Sequence, residues 1–260
     1  MDLWSLPYHD FASFFLILIR VSVILFMFPF FSARVIPVSS KAGLSLMITL
    51  ILYPVTPIPE GKLPLAGWTM AQIMLGELII GMVLGLMVQL FFEGIRMMGQ
   101  LVGFQSGFAI ANVLDPQGGI QISIFSNMAY LVAMVLFLLL NGHHIVLRAI
   151  RDSFEVIHMG SLRIDQQVVL EMMGHTADMF IIALKIGAPA IAALLFTQVA
   201  FGLVTKLMPQ MNIMVVAFPV QIIVGLVFFG LTLGILLRCM EGYLSGLGDL
   251  MIHVMARING

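Results

Sequence analysis

The sequence predicts an all-α, membrane-associated bundle of about six long, partly kinked helices. Three observations carry that prediction. Of the 260 residues, 61% are hydrophobic and 10% are charged, whereas soluble domains hold about 25% charged residues. Apolar runs recur at 11–31, 42–58, 68–92, 123–147, 176–204 and 212–237, and about 20 apolar residues in helical form cross a bilayer. The period-2 alternation of a membrane β-barrel is absent from them.

The elements follow in chain order. Met1 to Pro7 holds no basic stretch, so the first apolar run is expected to be retained rather than cleaved as a signal peptide. The second run is cut short by Tyr53-Pro54 and Pro57-Ile58-Pro59, because proline removes a backbone donor and clashes with the preceding turn. The third leads into a polar, glycine-rich interruption that starts at Glu93-Gly94-Ile95-Arg96 and continues through Gly103 to Phe108 and Asn112 to Gly119. Non-helical backbone at membrane depth survives only inside protein or beside water. The interruption is therefore read as part of a pathway. The segment 148–178 is read as a solvated face, with Arg151 and Glu155 at i,i+4. The last two runs contain Pro189 and Pro219 and are joined by Lys206 to Asn212. Lysine and arginine divide almost evenly between alternate linkers, so charge bias leaves the topology open.

Few residues are placed for chemistry. Arg20, Glu77 and Lys185 each lie inside an apolar run. An ionised group facing hydrocarbon is costly, so each is expected to meet another helix, another subunit or water. Glu93 and Arg96 open the polar interruption. Phe104 and Phe108 are four apart and share a face if that stretch is helical. Glycines four apart, such as Gly81 and Gly85 or Gly230 and Gly234, suit close helix approach.

Enzyme signatures do not assemble. Gly246-Leu247-Gly248-Asp249 spells the GxGD of intramembrane aspartyl proteases, but no other apolar run contains an Asp at its middle to share a proton with it. His143-His144 are adjacent and diverge on a helix, so they suit a helix end better than a metal. Ser106 has no neighbouring base. The net charge of -1 lacks the basic face that nucleic acid requires, and the single Cys239 excludes an internal disulfide. No catalytic residue, metal or cofactor is expected.

Six segments in order bring a resemblance. They are Phe30 to Pro37, Gly99 to Phe108, Asp115-Pro116-Gln117, Leu140 to His144, Gly187-Ala188-Pro189 and Met208 to Asn212. Together they resemble the FliR family of flagellar type III export-gate proteins, which is related to the T component of virulence type III secretion systems. The resemblance covers nearly the whole chain. It implies a non-enzymatic, channel-forming subunit of a hetero-oligomeric helical ring with P-like and Q-like export-gate subunits. Residues 1–175 would be the P-like part and 176–260 a Q-like kinked hairpin with its tail. The family's channel plug maps to about Gly103 to Gly119, which assigns Gly103, Phe104, Gln105, Gly107, Phe108, Asn112, Asp115, Pro116 and Gln117 to gating. The tip carrying Lys206, Pro209, Gln210 and Asn212 would meet an FlhB-like switch protein. The cargo would be unfolded flagellar subunits, and the location the bacterial inner membrane within the flagellar basal body. Two readings stay open beside it: a secondary transporter using Arg20, Glu77 and Lys185, and a virulence-system export subunit.

Overall fold

A computed structural model describes residues 6–32, 36–57, 67–107, 124–162, 166–210 and 212–259. Every regular element among these residues is a helix. They are α1 (Leu6–Met27), α2 (Pro29–Ser32), α3 (Val38–Leu52), α4 (Gly67–Gln105), α5 (Ile124–Leu139), α6 (Gly142–Val156), α7 (Gln166–Leu207) and α8 (Ile213–Asn259). Four of them, α1, α4, α7 and α8, are long and apolar enough to cross a membrane, or up to five spans if α5 and α6 count as one broken span. The all-α membrane prediction holds.

Two of the boundaries that differ from the sequence expectation bear on the candidate site. The polar stretch after Glu93 is not an interruption at first. α4 runs 39 residues to Gln105, so Gly103, Phe104 and Gln105 form its last turn instead of a loop. Nothing in that stretch forces the helix to stop until Gly107, whose φ of 83° ends it. A glycine in the left-handed region just past the last turn is the commonest way for a helix to end. The apolar run 123–147 is also not one helix. Asn141 takes the left-handed conformation, with φ 58° and ψ 27°, and separates α5 from α6. Asparagine tolerates that region better than most residues.

The chain forms two compact units. The first comprises Met1–Leu90, Asn141–Thr176 and Leu244–Gly260, and the second Phe91–Leu140 and Ala177–Tyr243. In the first unit α1 presents Ile17, Val21 and Ile24 to the core, all fully buried. Their spacing of four and three marks one helical face. Ile80, Leu84 and Val88 of α4, Ile150 and Phe154 of α6, and Met251 and Val254 of α8 complete that core. α1 crosses α4 closely because Gly81 and Gly85 remove side chains at the crossing. A Cβ on Gly81 would lie 3.0 Å from the Arg20 carbonyl oxygen, and one on Gly85 2.8 Å from Met27 Cβ. α3 meets α1 through Phe14 and Tyr53, whose rings stand edge to face at 5.9 Å. Burial, with the Asp10 carboxylate beside it, raises the Tyr53 phenol above its ordinary pKa.

The second unit is built on aromatic contacts. Phe92 meets Phe137 edge to face at 5.5 Å, Phe125 meets Phe229 at 5.3 Å, and Phe91 stacks on Tyr243 at 3.9 Å. Such pairs add to the stabilisation from burial alone. α5 lies tightly on α4 at Gly99, where a Cβ would fall 2.6 Å from the Ser126 nitrogen and 2.7 Å from the Phe125 carbonyl oxygen.

Candidate functional site

The deepest polar feature is the pair Arg20 and Glu77. Their side chains are 0% and 1% exposed, with Arg20 Nε 2.5 Å from Glu77 Oε2. The guanidinium fork satisfies more than the carboxylate. Nη1 donates to the Ser153 carbonyl at 2.8 Å and to Ser153 Oγ at 3.2 Å, and Nη2 donates to the Ile157 carbonyl at 3.2 Å. These carbonyls lie at the C-terminus of α6, where the dipole favours a cation, and that of Ser153 also accepts from the Ile157 backbone N–H at 3.0 Å. The guanidinium also sits 4.2 Å above the Phe154 ring. Arg20 thus ties α1, α4 and α6 together in the first unit. Glu77 Oε1 is buried without a hydrogen-bond partner among the described residues. Of the partners that the sequence left open, Arg20 and Glu77 meet helices of this same chain.

Glu93 and Arg96 pair at 3.3 Å, each 39% exposed. Arg96 also lies 3.9 Å above the Tyr130 ring, and its carbonyl accepts from Ser126 Oγ at 3.0 Å. Lys185 belongs to the second unit and is exposed. It therefore does not join Arg20 and Glu77 in the first-unit cluster. The contacts Ser153, Phe154, Ile157 and Tyr130 were not singled out from sequence. The signal available was only that a buried arginine has five donors to satisfy.

At the end of α4 the chain is held by α7 and α8. Phe104 is 73% exposed. The Gln105 carbonyl accepts from Gln198 Nε2 at 3.1 Å. Ser106 is fully buried beside Gly225, its hydroxyl donating to the Val102 carbonyl at 2.7 Å. Gly107 fits against Phe218, whose Cδ1 would lie 2.8 Å from an added Cβ. Phe108, Asn112, Asp115, Pro116 and Gln117, assigned to the plug, lie outside the described residues. At the other candidate region, Lys206, Pro209, Gln210 and Asn212 are all exposed around the turn between α7 and α8. Pro189 and Pro219 lie inside those helices. The far ends of the two helices meet again in the first unit, where Arg257 donates to Gln167 Oε1 at 3.0 Å and lies 3.6 Å from Glu171. No group of three or more metal-ligating side chains occurs among the described residues.

Long apolar helices, an ion pair sealed in their core and exposed polar turns define a helical membrane protein. The chain belongs to the FliR family: the family model described as bacterial export proteins, family 1, matches residues 11–247. Among its relatives is the flagellar biosynthetic protein FliR of Pectobacterium carotovorum subsp. carotovorum, 29% identical over 95% of this chain and 94% of that one. The protein of the same name from Bacillus subtilis (strain 168) is 28% identical over 95% and 96%, and that of Escherichia coli (strain K12) 25% identical over 93% and 92%.

Proposed function

We propose that this chain is a non-enzymatic, channel-forming subunit of the flagellar type III export gate, in the bacterial inner membrane within the flagellar basal body. The observation that supports it is the family match over residues 11–247, with relatives named for flagellar biosynthesis along nearly their full lengths. On this reading residues 1–175 are the P-like part and 176–260 the Q-like hairpin, assembled with P-like and Q-like subunits around a path for unfolded flagellar subunits. Gly103 to Gly119 closes that path. The fixed stem at Gln105 to Gly107 is the base from which such a plug would project.

Deleting Ala109 to Gln117 tests the plug. The ring should still assemble, and the membrane should leak small ions. Normal assembly with conductance at the closed baseline would sink the assignment. The exposed tip is proposed to meet an FlhB-like switch protein. A photocrosslinker at Gln210 should capture that partner, and capture of lipid alone rules the contact out.

A further inference from the structure

Of the three ionisable groups that the apolar runs carry in their interiors, the chain matches two and leaves one. Arg20 and Glu77 neutralise each other in the core. Lys185 has no acceptor among the described residues and lies exposed near the midpoint of α7. Around it the same face shows Ile181 at 48% and Leu184 at 55% exposure, then Ala188 and Ala192, also exposed. The opposite face holds Ala183, Ile186, Ala190 and Leu194, all fully buried. An ammonium in such apolar surroundings is strongly disfavoured against hydrocarbon. Ala188 and Ala192 follow it at i+3 and i+7, leaving room for another backbone to approach.

We propose that the α7 face centred on Lys185 docks a helix of a different polypeptide that carries an Asp or Glu within its own apolar stretch. Charge complementarity and the alanine notch below the ammonium select that occupant. A second copy of this chain is less suited. Of the carboxylates within its apolar runs and the turns that follow them, Glu77 is sealed against Arg20, Glu93 is paired with Arg96, and Asp178 on the same α7 face already has an interaction within the chain. Glu241 and Asp249 are exposed on α8 but lie past the end of the apolar run 212–237, whereas Lys185 lies near the middle of its own. The proposal rests on the membrane-embedded reading of α7 given above and is independent of the plug.

The test uses the full chain in cells that make its native assembly. A photocrosslinking residue replaces Ala188 or Ala192, and captured material is identified by mass spectrometry. The expected product is one defined membrane polypeptide with a carboxylate in an apolar stretch. Lys185→Glu should lower its capture by about tenfold or more, Lys185→Arg should keep it, and reversing the partner carboxylate to Lys should restore it alongside Lys185→Glu. If Lys185→Glu does not accumulate, Lys185→Gln, which loses only the charge, is read in its place. Capture of lipid alone, of a second copy or of a chain without such a carboxylate overturns the proposal, as does capture unchanged by charge removal. A leak after deleting Ala109 to Gln117, together with unchanged capture in Lys185→Gln, would retain the channel reading and reject this docking site.

Discussion

α4 and α8 carry glycines at the same four-residue spacing, yet use them differently. In α4 every glycine from Gly76 to Gly99 has a neighbour pressed against it: Leu162, the Arg20 carbonyl, Met27, the Met179 carbonyl and the backbone of α5. In α8 a Cβ on Gly230, Gly234, Gly242 or Gly246 would meet nothing within 4 Å. The charges divide in the same way. Arg20, which packs on α4, is sealed with its partner, while Lys185 on α7 stays outside. The comparison teaches that small-residue spacing and an embedded charge both announce contact without saying whether the same chain supplies it. At the α4 glycines from Gly76 to Gly99 this chain supplies the packing itself; on α7 and α8 broad apolar faces stay exposed, among them Leu195, Phe196, Ile223 and Leu231.

The contrast breaks first at the ion pair. Arg20→Leu should lower the stability of the chain in mild detergent by about 3–5 kcal/mol, because it strands a buried carboxylate. Joint replacement with Glu77→Leu should cost clearly less than either single change. Denaturant unfolding of all four forms checks this, and a loss in the double variant equal to the sum of the two single losses would show that the pair is not coupled.

A smaller effect sharpens the glycine comparison. Gly99→Ala places a methyl group against the Ser126 backbone and should cost about 1–3 kcal/mol. Gly230→Ala meets open space, so it should leave stability unchanged or raise it by up to about 1 kcal/mol, the helix preference of alanine over glycine. If the two substitutions prove equivalent by the same unfolding measurement, the α4–α5 crossing is looser than described.

Much of the fold is legible in the amino-acid sequence. Composition and run length specify an all-α membrane protein, since transfer of apolar helices into a bilayer depends on local sequence. The same cost argument singled out Arg20, Glu77 and Lys185 as groups that need partners. The prolines placed in the last two runs do lie inside α7 and α8, and the turn between them is exposed. The helical course of Glu93 to Gln105 was less legible, because polar residues and glycines lower helix preference without forbidding it. Packing against Phe125, Ser126 and Met179 decided that stretch.

By itself, then, the sequence determined the class of protein, the positions of its long helices and the ionisable groups too costly to leave in hydrocarbon. Only the tertiary structure decided which partners those groups find. Arg20 reaches Glu77 across 57 residues and the Ser153 carbonyl across 133. Periodicity cannot encode such a meeting, because it reports which face of a helix is apolar and not which helix will cover it. Side-chain fit at each crossing settles that question: the Gly81 and Gly85 groove is filled by α1, and the Gly230 and Gly234 face stays open.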